Sequence, residues 1–193
     1  MCSRFSVDDE IQKDLEQMFI HLDGFHLDIK AEDIHPSEEA WVIMENNNRM
    51  QLKKMKWGFL SSKSNQLMIN ARAETAIEKR FFCESVLKRR CVIPARRFYE
   101  WDRSKTKVTF SYPQSPVIYL AGFYRRFEEE ERFIILTTDA NASMKPVHDR
   151  MPLIFQREQI KDWICNDKMV RNYLKMASPM LERQQEYEQL TLF

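Results

Sequence analysis

Apolar positions along the chain change their period several times, and each change predicts an element. Ile11, Leu15, Met18, Phe19 and Leu22 recur at helical spacing behind Ser6 and Asp9, a pair placed like a capping box, so a helix is expected over about 7–22, ended by Gly24. Trp41 to Met44, Met50 to Leu60 and Met68 to Asn70 read as strands, with Asn46, Asn47 and Asn48 as the turn joining the first two. Thr75 to Arg90 contains no Gly or Pro and carries Ile77, Phe81, Val86 and Leu87, which predicts a helix. Strands follow near 91–101, 107–112, 116–127 and 131–138. The run Glu128 to Glu131 is read as a solvated hairpin tip. Gln156 to Cys165 is expected to be helical, with Ile160, Trp163 and Ile164 inward.

Hairpin-like strands with helices at both ends and one between indicate an α+β fold: a single domain with a mainly antiparallel sheet or open β-barrel and flanking helices. The domain is expected over residues 2–178, followed by a polar tail over 179–193 whose last dozen residues are loosely held. After the first helix, glycine occurs only at 58 and 122, so phosphate loops of the GxGxxG and GxxxxGK types are absent. Dehydrogenase and NTPase chemistry lose their commonest signatures.

Composition sharpens the picture through charge. The 193 residues sum to +1, which taken alone argues against a nucleic-acid partner. By segment, residues 1–40 carry 3 basic and 11 acidic side chains, residues 41–126 carry 18 and 6, and residues 127–193 carry 9 and 12. A basic middle is therefore hidden by acidic ends. Its clusters, Arg49/Lys53/Lys54/Lys56, Lys88/Arg89/Arg90, Arg96/Arg97 and Arg125/Arg126, are interleaved with Trp57, Phe59, Phe98, Tyr99, Trp101 and Tyr124. Cations neutralise phosphates and flat rings stack on unpaired bases, so the composition is compatible with single-stranded nucleic acid. An ordinary solvated face fits the same charges. The longest apolar runs are four to six residues, far below a membrane span of about 20, and the first ten residues resemble neither a signal nor a transit peptide. A cytoplasmic protein with no membrane partner is expected.

The cysteines, Cys2, Cys83, Cys91 and Cys165, are too sparse for a disulfide scaffold and form no CxxC pair, so no metal is expected. Cys83, Cys91 and Cys165 read as small core residues. Cys2 differs. Without Met1 it would present an amine and a thiol as a 1,2-aminothiol. An α-amine of pKa about 8 is roughly a tenth neutral at pH 7, against under about 0.1% for a lysine, so it is the better carbonyl nucleophile. Attack on an aldehyde gives a Schiff base that the sulfur can close to a thiazolidine. Glu100 lies between aromatics on a predicted strand, where a buried carboxyl can exchange protons near neutrality, although pairing with an arginine on a polar face is the simpler reading. His148 sits in a loop and could act as acid or base, or be merely exposed. Asn70 could orient the nucleophile, and Arg72 and Arg150 could clamp phosphate bidentately.

Together these residues form a signature. Met-Cys-x-Arg-Phe at the start, Trp57-Gly58, Asn-Ala-Arg-x-Glu-Thr from 70, Ile-Pro-Ala-x-x-Phe-Tyr-Glu-Trp from 93, Ala121-Gly122, Leu136 to Asn141 and His-Asp-Arg-Met-Pro from 148 closely resemble the SRAP family. These SOS response-associated peptidase proteins shield abasic sites in single-stranded DNA. The resemblance runs from residue 2 to about 165. It implies removal of Met1, by autoproteolysis or by ordinary methionine removal, and condensation of Cys2 with the ring-opened abasic sugar, with crosslink reversal and a lyase activity as further expectations. Cys2 would be the nucleophile, Asn70 its positioner, Glu100 the proton-transfer group and His148 a second acid/base. Arg4, Arg72 and Arg150 would contact phosphates. No cofactor is implied; the partner is abasic single-stranded DNA, with the protein nucleoid-associated when bound, and a monomer fits the polar tail.

The chain departs from the family pattern at several places. Ser3 and Arg97 stand where glycine is usual, and residues 25–48 lack the Tyr-Asn-x-Ala-Pro segment. Phe59-Leu60-Ser61-Ser62-Lys63 replaces the proline and tryptophans that wedge against bases, which leaves Trp57 or Phe59 as the candidate DNA-stacking ring. Two alternatives to the crosslinker are a thiol peptidase with Cys2 as nucleophile and His148 as base, and a non-covalent single-strand binding module.

Overall fold

The computed structural model describes residues 2–19, 27–61, 66–128 and 130–185. In chain order the elements are β1 (Phe5–Val7), α1 (Asp9–Met18), β2 (Glu32–Ile34), β3 (Glu39–Asn46), β4 (Arg49–Trp57), β5 (Phe59–Leu60), β6 (Leu67–Met68) and β7 (Asn70–Arg72). There follow α2 (Ala73–Ala76), α3 (Arg80–Lys88), β8 (Arg90–Ala95), β9 (Arg97–Trp101), β10 (Lys107–Ser111), β11 (Ile118–Phe127) and β12 (Glu130–Asp139). The chain then forms β13 (Arg150–Pro152), β14 (Ile154–Phe155), a 3₁₀ turn (Arg157–Gln159), α4 (Ile160–Cys165), α5 (Val170–Tyr173) and β15 (Glu182–Gln185).

Strands β12, β4, β3, β8 and β11 pair in that order, and β11 pairs back onto β12, closing a five-stranded barrel. The β12–β4 contact is parallel and the other four are antiparallel. A second sheet, in the order β15-β10-β9-β1-β2, is joined to the barrel where β8 runs through Arg96 into β9. Alternate barrel residues serve two cores. Ile43, Val92, Tyr119, Ala121, Phe123, Ile134 and Leu136 pack with Ile11, Leu15, Phe82, Val86 and Trp163 of the helices, which places that core outside the barrel wall. Val42, Met44, Cys91, Ile93, Leu120, Phe133 and Ile135 therefore point inward, in a cluster continuous with Phe5, Phe98 and Phe110 of the second sheet. The fold is α+β, as the element pattern predicts. No helix among the described residues is long and apolar enough to cross a membrane.

Several boundaries differ from the expectation, each for a local reason. Ser6 is no helix cap: it lies in β1, between Asp33 of β2 and Arg97 of β9, and the double pairing delays the helix. Asp8 caps α1 instead, accepting a hydrogen bond from the Glu10 amide at 3.1 Å. Gly24 and Leu22 lie outside the described residues. The expected 75–90 helix is two helices, broken at 77–79, and the break turns Phe82 to the core and leaves Phe81 exposed. Asn47 and Asn48 form the predicted turn with φ of 52° and 62°.

The strand expected over 50–60 is interrupted at Gly58, whose φ of 110° few other residues adopt and whose missing Cβ leaves room for Leu67. That kink releases the chain from the barrel after Trp57, and β7 later returns beside β12, with Asn70 paired to Ile135. Glu130 and Glu131 are not a free hairpin tip. They belong to β12 and pair with Lys56 at 2.5 Å and Lys53 at 2.6 Å. Ile160, Trp163 and Ile164 are buried as expected. Residues 182–185 add the edge strand β15 against β10.

Candidate active site around Cys2

Cys2 enters the barrel core just ahead of β1 and is 1% exposed. Its backbone carbonyl accepts a hydrogen bond of 2.9 Å from Asn70 Nδ2, and its thiol faces the Arg4 carbonyl at 3.8 Å. Asn70 can reach it because β7 resumes the parallel path beside β12 after the Gly58 excursion. Asn70 Oδ1 is buried and has no hydrogen-bond partner among the described residues.

Glu100 comes to the same place along β9. Phe5 pairs with Phe98, and the Tyr99 amide donates to the Arg4 carbonyl at 3.0 Å, so the antiparallel register carries Glu100 opposite Ser3 and beside Cys2. It is 4% exposed. Burial pushes the Cys2 thiol up to about 12, and the Glu100 carboxylate adds to the rise. In the folded chain this sulfur is a neutral thiol at pH 7.

His148 lies in the turn before β13, where Asp139 of β12 pairs with Arg150. Its Nδ1 accepts a hydrogen bond of 2.9 Å from the Arg150 amide. Because β7 and β13 both pair with β12 at Thr137, through Arg72 and Pro152, Asn70 and His148 belong to the same end of the barrel. Met144 and Met151, on either side of His148, share the buried cluster with Cys2.

The four residues expected to bind DNA separate into three situations. Arg72 is exposed and makes no ion pair among the described residues. Arg4 and Arg150 are engaged by carboxylates that sequence reasoning did not single out. Arg4 donates from Nε to Asp33 at 2.9 Å and lies over the Tyr99 ring at 5.6 Å, while the Tyr99 hydroxyl donates to the same carboxylate at 3.0 Å. Arg150 places its fork on Glu74, at 2.9 and 2.8 Å, and also reaches Asp139 at 2.5 Å. Burial acts to lower the Arg150 guanidinium, but Glu74 and Asp139 outweigh it and raise the group above its usual range. An acid two positions after Arg72 was a visible signal for Glu74, whereas Asp33 had none.

Trp57 has no surface to offer a base. It is 0% exposed, stacks with Phe133 at 6.3 Å and donates its indole N–H to the Ile69 carbonyl at 3.0 Å. Phe59 is equally buried, against Phe82, Phe123 and Phe127. Both rings belong to the cores, a correction to the expected stacking role. Trp101, which follows Glu100 at the end of β9, is 37% exposed.

In a closed mixed barrel the structure thus brings together a buried cysteine whose backbone carbonyl is held by an amide side chain and a buried carboxylate whose charge acts on its thiol. The chain belongs to the SOS response associated peptidase (SRAP) family, whose model matches residues 1–191. The abasic site processing protein YoaM of Bacillus subtilis (strain 168) is 34% identical, over 91% of this chain and 84% of its own. YoqW of the same organism, also an abasic site processing protein, is 32% identical over 91% and 85%. A crystal structure of a protein from Bordetella bronchiseptica superposes with a TM-score of 0.80 at 21% identity, covering 97% of this chain and 100% of that one, so the two share a fold.

Proposed function

We propose that this protein shields abasic sites in single-stranded DNA by a covalent crosslink through Cys2. The observation that carries the reading is the Asn70–Cys2–Glu100 cluster: the nucleophile's backbone is held at 2.9 Å and its thiol lies in the field of a buried carboxylate. Family membership and the names of the similar proteins support the choice of lesion.

While Met1 is attached, the Cys2 nitrogen is an amide and has no free pair for a carbonyl. Hydrolysis of that bond frees the amine, by the protein's own action or by ordinary methionine removal. The amine then attacks C1′ of the ring-opened sugar to give a carbinolamine, which loses its hydroxyl as water to form the imine. The thiol adds to the imine carbon, its proton passes to nitrogen, and a thiazolidine closes; amine and aldehyde have together released one water. With the thiol raised to about 12, amine attack precedes sulfur attack, and in this reading Glu100, whose charge acts on that thiol, takes its proton and returns it to nitrogen. The reverse sequence through the same carboxyl takes up one water and releases the intact abasic aldehyde. The Asn70 Oδ1, buried without a partner, accepts an N–H of the freed amine in this reading.

Phosphate contacts fall first to Arg72, which is exposed, while Arg4 would have to exchange Asp33 for a phosphate; Arg150 stays on Glu74 and Asp139 in this reading. A peptidase acting on other peptides, with His148 as base, is less well supported, since Nδ1 is occupied by the Arg150 amide. Incubating the Met1-free protein with an abasic oligonucleotide tests the proposal. A heat-stable adduct that is lost in Cys2→Ala is expected; no adduct, or an undiminished one in that variant, refutes it.

A further inference from the structure

The run Asn70, Arg72, Glu74 sets three polar side chains at alternate positions where β7 passes into α2, and each has a different contact. Asn70 holds the Cys2 carbonyl, Arg72 is exposed, and Glu74 takes both terminal nitrogens of Arg150. The Thr137 carbonyl accepts from the same guanidinium at 2.7 Å and Asp139 at 2.5 Å, while Arg150 Nε is buried without an acceptor among the described residues. A fork filled in this way ties β13 to β12 and to the first turn of α2. The peptide so fixed is the one whose N–H points at His148 Nδ1, 2.9 Å away. A ring nitrogen that accepts a hydrogen bond carries no proton, so the neutral imidazole has its N–H at Nε2.

We infer that Glu74 is a positioning residue for His148: by anchoring Arg150 it fixes the peptide N–H that selects the Nε2–H tautomer, and His148 acts as a hydrogen-bond donor from Nε2. Its action on the sugar rests on the abasic-site reading above; the tautomer does not. When the closed sugar opens, the C1′–O4′ bond breaks and its electron pair stays on O4′. The C1′ hydroxyl loses its proton as the carbonyl forms, and that proton is carried by Glu100 and solvent to O4′. A donor facing O4′ stabilises the charge that develops there and itself neither gains nor loses a proton, a role open to a neutral imidazole. A base at this position would need an unprotonated Nε2, hence a proton on Nδ1 facing the Arg150 N–H.

The test is a long-range proton–nitrogen spectrum of the protein labelled with ¹⁵N-histidine, with His148 assigned by His148→Gln. The expected result is a pyridine-type Nδ1 and a pyrrole-type Nε2 for His148. Glu74→Ala should mix the two tautomers and slow crosslinking about tenfold, and Glu74→Gln, which keeps one acceptor for Arg150, should restore most of both. A pyrrole-type Nδ1 in the unaltered protein overturns the inference. So does an unmixed Nε2–H tautomer in Glu74→Ala, or, should that variant not fold, crosslinking in Glu74→Gln as slow as in His148→Gln with the tautomer unchanged. The spectrum is recorded without DNA, so failure of the unaltered protein to form any adduct counts against the abasic-site reading and leaves the role of Glu74 to be decided by the tautomer.

Discussion

Asn70 donates a hydrogen bond of 2.9 Å to the Cys2 carbonyl while its own Oδ1 stays buried without a partner. A buried, unsatisfied amide oxygen costs about 1–3 kcal/mol, and it lies next to the one residue whose amine the chemistry requires. Asn70→Ala is therefore expected to slow adduct formation about 10- to 100-fold, by misplacing the nucleophile, with little loss of melting temperature. Single-turnover crosslinking rates beside thermal melts check this; a large fall in melting temperature with a normal rate would contradict it.

Glu100 has two separable effects. As proton carrier its loss in Glu100→Gln should slow crosslinking about 100-fold or more. As a negative neighbour its loss should also lower the pKa of the Cys2 thiol, although burial, the larger cause, keeps that pKa above the ordinary cysteine range. The pH dependence of Cys2 alkylation in the folded protein reads this directly: the midpoint should lie near 12 and move downward in Glu100→Gln.

The same burial links stability to alkaline pH. The folded-state pKa of Cys2 is raised from 9.0 to about 12, so the native state holds its proton more tightly than the unfolded chain. Stability from this group is complete below about pH 9 and is lost as pH rises toward 12. Cys91 and Tyr124, raised by burial too, act in the same direction. Denaturant midpoints should fall across this window, less steeply in Cys2→Ala; a flat profile would contradict the burial of the thiol.

Two tryptophans should behave oppositely. Trp57→Ala empties a core site and should cost about 3–5 kcal/mol of stability. Trp101→Ala should leave the melting temperature nearly unchanged and weaken single-strand binding by about 1–3 kcal/mol, the range for one stacked base. Denaturation and fluorescence anisotropy separate the two.

The alternation of apolar residues made most strands legible, and the short motifs picked out Cys2, Asn70 and Glu100, which the fold brings to one place. Less legible were features that depend on distant partners. Nothing local announces that Ser6 is held between two strands, or that the chain must leave the barrel at Gly58 so that Asn70 can return beside Ile135. Arg150 reads as a phosphate clamp until its fork is seen on Glu74, 76 residues away. Trp57 reads as a stacking ring because it stands among basic residues just before the family's wedge position, whereas the fold turns it into the core. The basic middle segment is likewise partly neutralised, Lys53 and Lys56 by Glu131 and Glu130.

The central claim is tested most directly by intact mass, measured on the purified protein before and after incubation with an abasic oligonucleotide. The free protein should lack one methionine residue. The adduct should weigh the sum of protein and oligonucleotide less one water, and peptide mapping should place the attachment at Cys2. An adduct formed with Met1 still in place, or attached elsewhere than at Cys2, would contradict the account.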